Sequence, residues 1–351
     1  MRKIKRVVRI GNIKIGGKNP IVVQSMTKTR TSDIKRSVNQ IKRMEKKGCE
    51  LVRLAVVNKS DANALKEIKK QIAIPMVADI HFDYRLALMA IDAGVDKLRI
   101  NPGNIGDEWK VSEIIKKASD YKIPIRIGIN TGSLPKKILS KYKHPTSDAV
   151  IETLNSSLEI FYKNNFSDIV ISAKSPDVCE TIEVYEAIHK KFDYPLHLGI
   201  TESGLVFSGG IRSAIGIGIL LHQGIGDTIR VSLAGEPEKE VVAGYEILKS
   251  LHLREYGPKL IVCPTCGRCE VNLLKIARLV EKRLDHKKYP LTIAVMGCVV
   301  NGPGEAKEAD FGIACGKRVG AIFARGREIK RVAEKKLVEE LFEVINENIN
   351  H

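Results

Sequence analysis

The amino-acid sequence predicts an α/β protein in two parts: a closed (β/α)8 TIM barrel over residues 1–254, then a smaller α+β domain over residues 258–351. Eight β-branched runs occupy about 250 residues, each followed by a segment compatible with a helix. The turn after the first run is Thr27-Lys28-Thr29-Arg30, without the glycines that an open dinucleotide-binding sheet wants there. Past Leu253 the composition changes, with a polar joint leading into clustered cysteines.

The first run, residues 20–26, precedes Ile34, Val38, Ile41 and Met44 at helical spacing, and Gly48 closes that helix. Further strands are predicted at residues 49–56, 75–80, 97–101, 124–130, 168–174, 195–201 and 228–234. Strict alternation of strand and helix implies parallel pairing with right-handed crossovers. The last barrel helix places Val241, Val242, Tyr245, Leu248 and Leu251 on its apolar side. A joint over 254–259 contains Gly257-Pro258. The second part should hold a helix at 273–284, a strand at 291–296 and a terminal helix from about 332 to 349.

With 351 residues, 44% hydrophobic and 28% charged, and no low-complexity tract, the chain reads as globular. No apolar run approaches the roughly 18 residues of a membrane helix, and the N-terminus lacks a signal-type segment, so a cytoplasmic protein with no membrane partner is expected. The charge, 58 basic minus 41 acidic residues or +17, favours anionic partners. Aromatic residues are only 5% and do not alternate with basic blocks, so nucleic acid is not expected. Lys66, Lys69 and Lys70 read as a solvated helix face, and a small phosphorylated substrate suits the charge equally well.

Barrel enzymes build their sites at the C-terminal strand ends. Residues i and i+2 of a strand share a face, and these ends carry polar pairs: Asp79 with His81, Arg99 with Asn101, Arg126 with Asn130, Ser172 with Lys174, and Arg230 with Ser232. Arg53 lies late in strand two and Glu202 directly follows strand seven. An inner-rim ion pair would account for any one of them. Collectively, five cations (Arg53, Arg99, Arg126, Lys174, Arg230) meet only two acids, and such an excess suits a phosphate or diphosphate. Seven glycines between Gly204 and Gly226 suit backbone contacts to phosphate, or equally close helix–sheet packing.

Cys263, Cys266, Cys269 and Cys298 fall within 36 residues, which in a reducing compartment reads as metal ligation. Zinc would want a second knuckle after Cys298, and none follows; an iron–sulfur cluster tolerates a replaced ligand, for which Glu305 is the candidate on an expected tight, exposed turn after 301–304. Both metals stay open on spacing alone. Cys49 and Cys179 read as packing thiols.

The motifs VQSMT, VADIHF, LRINPGN, TESG, CPTCGR, MGCVVNGPGEA and DFGIACG run through essentially the whole chain, which resembles the 4-hydroxy-3-methylbut-2-en-1-yl diphosphate synthase family in its short bacterial form. The resemblance implies a 4Fe-4S cluster on Cys263, Cys266, Cys298 and Glu305. It implies that 2-C-methyl-D-erythritol 2,4-cyclodiphosphate binds at the barrel mouth, its diphosphate on Arg53, Arg99, Arg126, Lys174, Arg230 and Ser232. Asp79, His81, Asn101, Asn130 and Glu202 match the positions around the carbon skeleton. Cys269 and Cys315 are extra thiols that compete with Glu305 for iron.

The expected reaction is a two-electron reductive ring opening with loss of a hydroxyl group. Glu202 is the first candidate for proton transfer, His81 the second, and Glu305 yields its iron to substrate. Ferredoxin or flavodoxin would supply electrons. Strand eight and a helix of roughly 22 Å return the chain to the barrel's far end, and a six-residue joint spans at most about 20 Å. A head-to-tail homodimer is therefore expected, with each cluster serving the other chain's barrel, and the resemblance implies the same. The rival expectations are a zinc-ribbon nucleic-acid binder, and another phosphate-handling barrel with a structural metal domain.

Overall fold

The computed structural model of the chain describes residues 4–144, 146–269, 271–285, 287, 289–298 and 302–349. It divides into two units, Met1–Arg254 and Glu255–His351.

The first unit opens with an antiparallel hairpin, Val8–Ile10 paired with Ile13–Ile15, that the sequence reading did not anticipate. Its tight turn has Gly11 at φ +56°, a conformation in which a side chain is strained. Val8, Ile10 and Ile15 pack on Val22, Leu51, Val77 and Val170, near the starts of four barrel strands, and so close the N-terminal end of the ring.

Eight barrel strands follow: Val22–Met26, Leu51–Ala55, Met76–Asp79, Lys97–Ile100, Ile125–Asn130, Ile169–Lys174, His197–Leu198 and Thr228–Ile229. All pair in parallel, in sequence order for the first six, with the eighth between the first and the seventh. A bridge between Ile171 and Leu196 joins the two ends of this order, which makes the sheet a ring as expected. The seventh and eighth strands are shorter than predicted. After Leu198 the chain reaches Glu202 at φ +51°, outside strand geometry. After Ile229 the backbone leaves the ladder: Leu233 N–H goes to a side chain of the next helix and Ala234 N–H to Gly204 C=O.

The crossover helices start where the sequence offers caps. Asp33, Asn58, Asp83, Thr146 and Asp177 each accept a backbone N–H of the first helical turn. The helix Ile34–Lys46 buries Val38, Ile41 and Met44. The last barrel helix, Pro237–Ser250, buries Val241, Tyr245 and Leu248, but Val242 is exposed because it falls a residue off that stripe. Cys49 is buried; Cys179, expected to be a packing thiol, is exposed in the first turn of Val178–Lys191. No helix among the described residues is long and apolar enough to cross a membrane.

The second unit is a five-stranded sheet in sequence order: Lys259–Val262, Thr292–Met296, Phe311–Cys315, Val319–Ala324 and Arg327–Ala333. The first three are parallel and the last two antiparallel. Helices Leu273–Leu284 and Leu337–Ile349 share its apolar core with Ile293, Val295, Phe311 and Ile322. The terminal helix thus begins later than predicted. Arg325 and Gly326, both at positive φ, turn the chain back on itself, and 327–333 pairs as a strand instead of coiling.

Candidate active site

At the C-terminal ends of the barrel strands, polar side chains surround a cavity of about 100 Å³. Register decides which of them meet. Asp79 is paired with Arg99, Arg99 with Arg126, and Asn130 with Lys174, and in a parallel sheet such partners lie side by side on one face. Arg53, Asp79, His81, Arg99, Arg126, Asn130, Lys174, Arg230 and Ser232, all named from the sequence, line this cavity, and Ser172 and Thr201 complete its wall. A roomier hollow of about 250 Å³ near Ile21, His222 and Leu251 has mostly apolar walls and no Lys, Arg, Asp or Glu side chain. The chemistry belongs to the smaller one.

Two inward-facing glycines make the crossing of long side chains possible. A Cβ on Gly128 would collide with the Arg99 guanidinium, and one on Gly199 would lie 2.6 Å from Lys174 Nζ. Arg99 Nη2 donates instead to Gly128 C=O at 3.1 Å.

Asp79 is the counter-ion of Arg53 and Arg99. Its carboxylate meets Arg53 Nε at 3.6 Å, Arg99 Nη1 at 3.2 Å and His81 Nε2 at 3.4 Å. Burial alone would push this carboxyl up, but Arg53, the His81 hydrogen bond and Arg99 together hold it far below the usual carboxylate range. Burial, opposed in part by Asp79, brings Arg53 down to about 10. Burial and the neighbouring guanidiniums of Arg53 and Arg99 push Arg126 well below its ordinary value. Lys174 falls for the same reasons, burial first and then Arg126 and Arg53. Arg126 Nε and Nη1 and Arg99 Nε have no hydrogen-bond partner among the described residues. Buried donors in that condition suit an anionic ligand with several acceptor oxygens.

A deeper layer escaped the sequence reading. Lys97, two residues before Arg99, is fully buried without a partner, its pKa lowered by burial, Arg126 and Arg53. His197 takes Lys174 Nζ at 3.3 Å on Nε2 and Thr228 Oγ1 at 2.7 Å on Nδ1. Burial, then Arg126 and Lys174, hold this imidazole well below its usual pKa. Extending the period-two pattern one step down strand four from Arg99 reaches Lys97, whereas His197 has the opposite parity to Glu202, the residue expected on strand seven.

Two expected site residues stand elsewhere. Asn101 is buried and does not line the cavity: its side chain accepts Gly103 N–H at 3.2 Å and caps the short helix Pro102–Ile105. Pro102 starts that helix at once, which turns the preceding residue into a cap. Glu202 is exposed and is not among the cavity-lining residues.

In the second unit, Cys263 directly follows the first strand, its N–H bonded to Val295 C=O, and buried Cys298 lies two residues past the second. Cys266 is exposed in the turn that leads to Cys269, whose N–H bonds to Cys266 C=O at 2.9 Å. Glu305 is exposed on the short helix Gly302–Glu308 rather than on the expected tight turn, because Gly302 and Pro303 fit a first helical turn. Val299, Val300 and Asn301 lie outside the described residues. Three thiolates and a carboxylate suit iron in an iron–sulfur cluster. Among the described residues no three His, Cys, Asp or Glu side chains gather at one metal-binding point. Cys315 is buried in the sheet core, and burial, then Glu334 and Cys269, pushes its thiol up to about 12, whereas Cys269 packs on Gly297 beside Cys298.

A family model described as the GcpE TIM-barrel domain matches residues 5–245, and one described as the GcpE protein C-terminal domain matches residues 259–347. Among curated proteins, a 4-hydroxy-3-methylbut-2-en-1-yl diphosphate synthase (flavodoxin) of Caldanaerobacter subterraneus subsp. tengcongensis is 55% identical, covering 99% of this chain and 98% of that one. A protein of the same name from Thermodesulfovibrio yellowstonii is also 55% identical, covering 98% and 99%. Among solved structures, Plasmodium falciparum HPPK-DHPS covers 71% of this chain and 50% of that chain at 15% identity and a TM-score of 0.51, a likeness of fold alone.

Proposed function

The chain belongs to the GcpE family, and from that premise we propose how its own residues carry the family's reaction. It is an oxidoreductase that forms 4-hydroxy-3-methylbut-2-enyl diphosphate in the methylerythritol phosphate route to isoprenoids, and an iron–sulfur protein whose electron donor is a flavodoxin-type carrier. Membership sets aside the nucleic-acid and structural-metal readings.

The supporting observation is the cavity in which five cations face one ion-paired aspartate, with guanidinium N–H groups left over. Arg53, Arg99, Arg126, Lys174, Arg230 and Ser232 receive the diphosphate of 2-C-methyl-D-erythritol 2,4-cyclodiphosphate. Asp79 keeps Arg53 and Arg99 in place, and Arg126 and Lys174, which no carboxylate pairs among the described residues, face the ligand. His81 and Asn130 address the hydroxyl-bearing carbons. The ring C–O bond breaks with its bonding pair left on the phosphate oxygen, where the buried cations stabilise the charge; the two electrons from the donor reach that carbon and become the new C=C bond as the hydroxyl on the neighbouring carbon departs. The departing hydroxyl takes a proton and leaves as water. His81 stands at the cavity to deliver that proton, and Glu202 does so only if its exposed loop turns inward.

Cys263, Cys266, Cys298 and Glu305 would hold a 4Fe-4S cluster, which supplies electrons singly. The protein works in the cytoplasm as a head-to-tail homodimer in which a second copy brings its cysteine unit to this barrel, supported by the short joint after the last barrel helix. Conversion of the cyclodiphosphate by anaerobically purified protein with reduced flavodoxin, alongside iron and sulfide analysis, tests the reaction. Product formation that persists after iron removal overturns it. For the dimer, a Cys298→Ser chain mixed with an Arg126→Met chain should regain turnover, and failure despite proven subunit exchange rejects the arrangement.

A further inference from the structure

Glu240, on the helix after strand eight, has no part in the account above. Its side chain is fully buried, yet its carboxylate serves four donors from three places in the chain. Arg230 Nε reaches Oε2 at 3.3 Å, the Ser25 hydroxyl donates to Oε2 at 2.9 Å, Leu233 N–H donates to Oε1 at 3.1 Å, and Lys28 Nζ stands 3.0 Å from Oε1. Such a site is costly to bury and is tolerated only when its lone pairs are taken up this fully.

We propose that Glu240 is the positioning residue that holds Arg230 and Ser232 in diphosphate-binding geometry, doing for residues 230–233 what a sheet ladder does elsewhere in the ring. Strand eight pairs with both neighbours only at Thr228 and Ile229; past the bond from Arg230 N–H to Leu198 C=O at 3.0 Å, the chain next meets its neighbour through the Ser203 hydroxyl, which donates to Ser232 C=O, and at an isolated bridge where Ala234 N–H donates to Gly204 C=O. The two substrate-facing residues therefore lie just past the ladder. Glu240 grips the segment at both ends, by the Arg230 side chain and by the Leu233 backbone. Lys28, from the loop after strand one, binds Glu240 and also the carbonyls of Leu233 and Gly235, so the clamp ties strand one's loop to strand eight's. With its guanidinium held on one side by a buried carboxylate, Arg230 can present its remaining N–H groups to the cavity in one orientation.

The inference rests on the reading that Arg230 receives the diphosphate. Its test uses full-length, cluster-loaded protein titrated with inorganic pyrophosphate, and turnover kinetics. Glu240→Gln, which keeps the shape and removes the charge, should weaken pyrophosphate roughly ten-fold and raise KM to match, with kcat and iron content little changed. The deciding measurement is the cycle with Arg230→Ala: the double variant should lose clearly less affinity for pyrophosphate than the product of the two single losses, because the part of the Glu240 effect that acts through Arg230 is already gone. Losses that multiply, or an unchanged affinity in Glu240→Gln, overturn the proposal. Should Glu240→Gln fail to fold, Glu240→Asp takes its place in the same cycle, with a loss of a few-fold expected and the same two outcomes against it. If Arg230→Ala itself leaves pyrophosphate binding intact, the diphosphate reading of Arg230 falls first and takes this one with it.

Discussion

In the barrel unit, Asp79, Arg99 and Arg126 leave three adjacent strands in register and already touch or crowd one another, while in the cysteine unit Cys263, Cys266, Cys298 and Glu305 come from strand-end turns and a short helix and converge on no common point among the described residues. Asp79, Arg99 and Arg126 are held by the ladder of the ring itself; the second set, on the ligation proposed above, would leave much of its assembly to the cluster. A cluster can gather its ligands because iron–thiolate bonds are strong enough to order loops. Ion pairing with a soluble diphosphate is weaker per contact, so its donors must be placed in advance.

This contrast breaks at its strongest point if Cys298→Ser keeps its iron. Loss of a direct ligand should exceed the ten- to hundred-fold cost of losing an outer-shell partner, so turnover should fall by more than roughly a hundred-fold while the barrel unfolds at an unchanged temperature. Iron analysis and a melting curve check both halves. Next in size, Arg126→Met should weaken pyrophosphate by roughly a hundred-fold, a loss in line with removing one partner of a buried charge contact. Because Arg126 is buried with two N–H-bearing nitrogens unpartnered, the same change should raise the melting temperature. A fall in both would show that Arg126 is paired in the free protein.

Lys97→Met sharpens the comparison through pH. Burial lowers the Lys97 pKa in the folded chain, so the unfolded chain binds the extra proton and this lysine opposes folding below the ordinary lysine value of about 10.4. The variant should be more stable near neutrality, and its advantage should shrink as pH rises toward 10. Asp79 has the opposite sign. Its depressed pKa contributes stability above the unfolded value of about 3.9 that is lost as pH falls below it, and Asp79→Asn should remove that part of the acid transition. The smallest effect belongs to Asn101→Ala, which removes a cap: about 1 kcal/mol of stability by chemical denaturation, with KM unchanged. A raised KM would restore Asn101 to the binding site.

Much of the barrel cavity was legible because alternation along a strand is a local rule. Arg53, Asp79, Arg126, Lys174 and Arg230 stand at strand ends where the alternation points inward, and they line one cavity. The same rule reaches Lys97 one step below Arg99, but His197 is out of parity with Glu202, and both resemble ordinary strand residues until the ring closes over them. Asn101 obeyed the alternation but met Pro102, and a cap outweighed the cavity. Glu240 shares its helix with Glu238 and Glu246, and its one local signal is the helical spacing that puts it on the buried stripe with Val241, Gly244 and Leu248.

The sequence by itself determined the order of strands and helices, their parallel sense and the inward face that carries the cations, because each follows from a backbone period and from chain connectivity. Only the tertiary structure decided which charges are paired, which donors are left over, and that Arg230 leans on a carboxylate from the following helix with Lys28 drawn in from strand one. Those facts depend on distances between strands remote in sequence, which no local pattern encodes until the ring has closed.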